Sequence, residues 1–367
     1  MIRTVKFLSQ RIFLPLLVFT ILLAVLQPCP CLAGPERVSI IAADISPFYL
    51  DGRAYIIGAG GSRWAIKENP KDGFTPVSGS AASCPVSAFF TLNDRPYIFG
   101  LLTGKGGDYN ASICGISEGA RDLPRVMDKG KMSSAYRHVV SFQLRGKPYI
   151  LGLHNDVGAN IWSIDQGPKG MTFNLVKYKQ KMSPNYKHLV VFYREGHPYI
   201  FGVHAGYESK YLGQGVGANI WRVRDNPAEG LDLVMYAKDF HRYYDYLTAF
   251  HLGGQPYIFA AKLIRPETEP MFSSKDLPFA VLDNILDEKQ GYGVIWKIEG
   301  DPRKPTLRRM TKKGVPISYR YQAMTTFEQG GKAYIFGIHE ENYANIWRVF
   351  EDDPAKGFTL EYYGRNK

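Results

Sequence analysis

Cysteine is scarce in this chain, with 4 in 367 residues. Cys29 and Cys31 sit in the N-terminal segment, which leaves Cys84 and Cys114 for the rest. A domain of this size with two cysteines is not built on disulfides, though one bridge between them stays open. No Cys-x-x-Cys spacing occurs, which argues against a structural zinc site of that kind. Sustained helical periodicity is missing outside two short stretches. No Gly-x-Ser-x-Gly elbow occurs, and Gly104-Lys105-Gly106-Gly107 lacks the spacing of a phosphate-cradling loop. What the chain does have is 45% hydrophobic and 14% aromatic residues, with 37 Gly and 23 Pro. That mix excludes a disordered chain and favours short strands joined by tight turns.

The first residues read as an export signal. Arg3, Lys6 and Arg11 precede an apolar run from Ile12 to Leu26, followed by the small-residue stretch Cys31-Leu32-Ala33. The run is shorter than the roughly 20 residues of a spanning helix. We expect cleavage after Ala33, with an uncleaved N-terminal anchor as the alternative, and hence a periplasmic or secreted protein. Loss of residues 1–33 removes those three basic residues and no acidic one, so the remainder stays basic.

Residues 34–367 read as one domain of six repeats. Tyr-Ile recurs at Tyr55, Tyr97, Tyr149, Tyr199, Tyr257 and Tyr334, each seven residues after a Phe: Phe48, Phe90, Phe142, Phe192, Phe250 and Phe327. A small residue closes the same strand at Gly58, Gly100, Gly152, Gly202, Ala260 and Gly337. All five Trp fall at one repeat position (Trp64, Trp162, Trp221, Trp296, Trp347), and Cys114 takes that place in the second repeat. Each unit reads as four short strands, A to D, with a tight turn between A and B. This is the signature of a β-propeller. The expected fold is all-β, a six-bladed propeller of four-stranded antiparallel blades. The blades span approximately 37–79, 80–130, 131–181, 182–239, 240–313 and 314–367. Every unit owns its D strand, so the ring should close by packing the last blade on the first. The recurring Phe, Tyr, Ile and Trp are then core, reused because blades stack on one another.

In strand order and in its Trp-bearing third strand, the chain resembles exported propeller repeat proteins and is loosely similar to the tachylectin and tectonin lectins. The resemblance is architectural. It transfers neither an activity nor a site residue, since propellers host lectins, hydrolases and scaffolds alike.

Function should sit where the repeats differ. Two residues beyond the end of strand B the ring reads Gly60, Leu102, His154, His204, Lys262, His339. The start of strand A reads Ala43, Pro85, Arg137, Lys187, Asp245, Gln322, preceded in the last four blades by Tyr136, Tyr186, Tyr244 and Tyr321. Counting from the turn pairs Arg137 with His154 and Lys187 with His204. The candidate ligand-binding set is therefore Tyr136, Arg137, His154, Tyr186, Lys187, His204, Tyr244, Asp245, Lys262, Tyr321 and His339, a crescent near the channel mouth. Tyr with cationic donors suits a carboxylated, sulfated or phosphorylated ligand. The three His lie on different blades and cannot share one ion at about 2 Å, so no metal and no cofactor is expected.

The main functional expectation is recognition of an anionic glycan or cell-envelope component. The alternatives are a protein–protein scaffold contacting its partner through loops 205–218 and 263–292, or a hydrolase or lyase on a polyanionic sugar using Asp245 or Glu340. A glycosidase needs two carboxylates in one site, and no motif pairs them here. No basic, aromatic-interleaved motif supports a nucleic-acid partner.

Overall fold

The computed structural model describes residues 45–58, 61–79, 85–101, 110–133, 135–156, 158–168, 170–205, 217–237, 240, 244–263, 290–340 and 343–365. Within them the strands form six antiparallel sheets, each in sequential order A-B-C-D from the axis outward. This is the six-bladed propeller read from the repeats. The N-terminal segment, Cys84 and nearly all of the two enlarged loops lie outside the described residues.

The tight A–B turns set the register of every blade. Asp51-Gly52, Asn93-Asp94, Arg145-Gly146, Glu195-Gly196, Gly253-Gly254 and Gly330-Gly331 all have positive φ at both residues. Two-residue loops of that kind match the right-handed twist of the strands they join. The turn aligns each Phe of strand A with its Tyr of strand B, from Phe48 with Tyr55 to Phe327 with Tyr334. The six ring pairs stack with centroids 5.1–5.3 Å apart. The Ile after each of these Tyr is fully buried.

The inner edge of a propeller presents unpaired backbone groups around the axis. Side chains of neighbouring blades satisfy many of them. Tyr193 Oη accepts from the Gln143 amide (2.7 Å), Glu328 Oε1 from the His251 amide (2.7 Å), and Tyr49 Oη from the Glu328 amide (2.7 Å). His138 and His188 each donate through Nε2 to the carbonyl of the next blade's tyrosine, Tyr186 (2.7 Å) and Tyr244 (2.9 Å).

Closure joins the sixth blade to the first without an exchanged strand. Trp64, Phe74 and Ile56 share a core with Phe336, Ile338 and Phe327. Gln329 Nε2 donates to the carbonyls of Lys67 and Glu68 (both 2.7 Å). Gly73 sits against Tyr362 at φ +87°, where an added Cβ would lie 2.4 Å from the ring. The blade boundary expected at 313/314 shifts. Val315–Ser318 pairs with the third strand of the fifth sheet, and the sixth blade begins at Tyr321. The outer edge of the fifth sheet is thus shared by two short strands, which the repeat period could not reveal.

Candidate functional site

Strand A of the third blade (Tyr136–Leu144) and of the fourth (Tyr186–Arg194) both begin with a β-bulge. Tyr136 pairs with His154 and His138 with Leu153, so Arg137 is left out of the ladder. Tyr186 pairs with His204 and His188 with Val203, which leaves out Lys187. The expected pairs Arg137–His154 and Lys187–His204 are therefore off by one residue. A bulge adds a residue to one strand and re-aims its side chain. Gln322 is set out in the same way in the sixth blade.

Arg137 and Lys187 stand on the rim of an axial cavity of about 780 Å³. Arg137, Lys187 and Asp245 line it near the starts of the inner strands. His138, His188 and Tyr246 come next, then Ser141, Thr248 and Thr326 deeper in. Arg137 is exposed, and its Nε donates to Asn155 Oδ1 at 2.5 Å. Lys187 Nζ lies 3.8 Å from Asp245 Oδ1 with both side chains over a third exposed. An ion pair so solvated holds its partners weakly. The other oxygen of Asp245 accepts from the Leu263 amide at 2.6 Å. Burial pushes the His188 imidazole down to about 4. The Tyr244 carbonyl opposes that shift, and the charges of Lys187 and His138 add to it. His188 is thus a neutral donor at pH 7, and the fixed positive charge at the mouth belongs to Arg137 and Lys187.

Most of the expected crescent is held within the blades. Tyr136, Tyr186, Tyr244 and Tyr321 are all buried. The hydroxyls of Tyr136, Tyr186 and Tyr321 accept from the side-chain amides of Asn160, Asn219 and Asn345. The three rings rest on Gly152, Gly202 and Gly337, where an added Cβ would come within 2.7, 2.6 and 2.9 Å of ring atoms. The rings also meet His154, His204 and His339 at centroid distances of 5.0, 4.4 and 5.4 Å. These groups are bonded and packed inside their own blades, and of these four tyrosines only Tyr136 also lines the cavity. Desolvation accordingly raises the Tyr136 phenol to about 12 and lowers His204. His339 Nε2 bonds the Ser318 hydroxyl (2.9 Å), and His154 Nδ1 accepts from the Asp156 amide (3.1 Å). Lys262 is 2% exposed and does not line the cavity.

Of the candidate residues, the cavity lining brings together Tyr136, Arg137, Lys187 and Asp245. Sequence reasoning missed His138 and His188, although each directly follows the singled-out cation. It also missed the Asn of Ala159-Asn160-Ile161-Trp162, Ala218-Asn219-Ile220-Trp221 and Ala344-Asn345-Ile346-Trp347, a repeat visible without coordinates.

The chemistry open to this cavity is narrow. Among the described residues that line it, Asp245 is the one carboxylate. Among the described residues no group of three or more His, Cys, Asp or Glu could hold a metal ion. The second-blade cysteine at the Trp position, Cys114, is disulfide-bonded.

No known family matches the chain, and no curated protein matches it. Solved structures do. The chain is similar to a mutant Bombyx mori GH32 beta-fructofuranosidase in complex with sucrose, at 11% identity and TM-score 0.43, covering 80% of this chain and 65% of that one. It is similar to an arginine-to-alanine triple mutant of AofleA from Arthrobotrys oligospora, at 10% identity and TM-score 0.46, covering 86% of each chain. It is also similar to the exo-beta-1,3-galactanase of Phanerochaete chrysosporium with galactose, at 10% identity and TM-score 0.45, covering 79% and 70%. The chain thus spans about two thirds of the length of the fructofuranosidase. At this identity no site residue is carried over from any of them.

Proposed function

We propose that this protein binds a small anionic ligand, a carboxylated or otherwise acidic sugar of the cell envelope, at the mouth of the axial cavity. The observation that carries the reading is the pair of bulges that set Arg137 and Lys187 on the cavity rim. Arg137 offers a planar fork for a carboxylate, and Lys187 a second charge held only by a solvated contact to Asp245. Deeper in, Ser141, Thr248 and Thr326 line the cavity with hydroxyls already bonded within the protein, Ser141 to the Phe89 carbonyl, Thr326 to the Ala249 carbonyl and Thr248 to Thr326. Binding rather than turnover fits a lining whose one carboxylate, among the described residues, is Asp245. Hydrolysis by an acid and base pair needs two, and Asp245 already accepts a backbone amide and faces Lys187. The protein-scaffold reading rests on the enlarged loops, which lie outside the described residues.

The test is a glycan-array screen of the chain from Gly34 onward at low and physiological salt. Selective capture of acidic glycans that weakens with salt supports the reading. Capture of neutral glycans alone, or release of sugar product from the bound probes, overturns it.

A further inference from the structure

The outer flank of the third blade combines unpaired cations with exposed apolar side chains. From Gln166 to Arg194 the sequence contains no Asp or Glu, yet carries Lys169, Lys177, Lys179, Lys181 and Lys187 as well as Arg194. The D strand here, Gly170–Gln180, is the outermost of its sheet and presents one free edge. Lys179 and Lys181 are exposed, as is Lys131 at the end of the second blade, and Lys177 is half-buried. Among the described residues none of these four makes an ion pair. The fifth blade also carries exposed Lys304, Lys312 and Lys313 with no ion pair among the described residues, but no exposed large apolar side chain stands there; other flank cations are neutralised. Arg224 pairs with Asp232 (2.7 Å), Arg308 with Glu299 (2.8 Å), Arg348 with Glu361 (2.9 Å) and Lys356 with Asp352 (3.0 Å).

Two apolar side chains accompany the unpaired ammonium groups. Leu175 is 51% exposed and Tyr178 is 55% exposed, with the Lys179 ammonium 5.1 Å from the Tyr178 ring centre. Clustered lysines attract any polyanion, but a hydrated polymer gains nothing from an exposed leucine. The interfacial zone of a bilayer takes both. Acidic headgroups meet the ammonium groups, and Leu and Tyr enter the boundary of the acyl region.

We infer that the outer strand of the third blade, with Lys131, Lys177, Lys179, Lys181, Leu175 and Tyr178, is a docking surface for an anionic lipid bilayer. Docking by this flank orients the axial cavity relative to the membrane and needs no contact with its rim. It is independent of the ligand proposed for that cavity.

The test is co-sedimentation with vesicles of phosphatidylcholine alone or with about 30 mol% phosphatidylglycerol. The chain from Gly34 onward is used, because the whole ring and its closure lie within residues 45–365. The expected result is binding to the anionic vesicles only, lost between about 0.05 M and 0.5 M salt. Lys179→Glu with Lys181→Glu should weaken it by at least about tenfold. Leu175→Ser with Tyr178→Ser should weaken it by about threefold or more while leaving the slope with salt unchanged. Far-ultraviolet circular dichroism confirms that each variant is folded. No binding to anionic vesicles, or binding indifferent to the charge reversals, overturns the proposal. So does binding that soluble heparin competes away while the Leu175/Tyr178 variant keeps full affinity, which would mark a polyanion site.

Discussion

The third and sixth blades share one interior and differ at their edges. Both bury a tyrosine on a glycine of strand B, Tyr136 on Gly152 and Tyr321 on Gly337. Both anchor its hydroxyl with an asparagine and face its ring with a histidine. Outside, they part. The bulge of the third blade carries Arg137 and that of the sixth Gln322. The third blade's outer lysines lack carboxylates, while Arg348 and Lys356 of the sixth have them. Stacking constrains what faces a neighbouring blade and leaves bulges and outer strands free to diverge. The second blade breaks even the interior rule. Its tyrosine slot holds Cys84 and its tryptophan slot holds the disulfide-bonded Cys114.

The largest expected effect is at that exception. Non-reducing peptide mapping should recover Cys114 joined to Cys84, the two positions that meet as Tyr and Trp in the fourth blade (Trp221 Nε1 to Tyr186 Oη, 3.0 Å). Closing a loop of this length should contribute about 3–4 kcal/mol, lost in Cys114→Ser by urea denaturation. A free Cys84 thiol in the native protein would refute the pairing.

The shared interior comes next. Gly152→Ala and Gly337→Ala should each cost about 2–3 kcal/mol, because the new methyl overlaps a buried tyrosine ring and the neighbouring backbone is fixed by the ladder. Equal losses in the two blades sharpen the comparison. A loss in one blade alone breaks it.

The smallest of the stability effects separates the third and fourth blades' inner histidines from the sixth blade, which has Ala323 at that position. His188 titrates lower in the folded chain than in the unfolded one. The unfolded chain therefore binds the extra proton first. Stability from this group is complete above about 6.5 and falls as pH drops from there toward about 4. His188→Gln should flatten that segment of the stability–pH curve, followed by denaturation at several pH values. His251 runs the other way. Burial opposes its charge, but the Glu328 carboxylate and the Tyr193 carbonyl outweigh it and raise its pKa. Its contribution is complete below about 6.5 and is lost as pH rises past the raised value.

The repeat period made the architecture legible, since Phe, Tyr, Ile and Trp recur at fixed offsets that only stacked blades require. The site was legible in part. Tyr136-Arg137-His138 reads as plain alternation, and only the backbone shows the bulge that moves Arg137 out of the ladder. The tyrosines read as rim groups because tyrosine is amphipathic. The glycines that accommodate them stand at Gly152, Gly202 and Gly337, sixteen residues downstream in each of the three blades, where the sequence alone shows only a strand end. The unpaired lysine flank was hidden for a related reason. Whether a cation is neutralised depends on a carboxylate in another strand, as Arg348 with Glu361 illustrates.

The central claim is that the cations set out by the bulges hold an acidic ligand at the cavity mouth. The direct measurement is calorimetric titration of a hexuronate oligosaccharide into the chain from Gly34 onward and into its Arg137→Ala/Lys187→Ala variant, both at low salt. Binding should be saturable and fall by at least about tenfold in the variant, with the denaturation midpoint unchanged because both side chains lie outside the ladder. Equal affinity in the two proteins would contradict it.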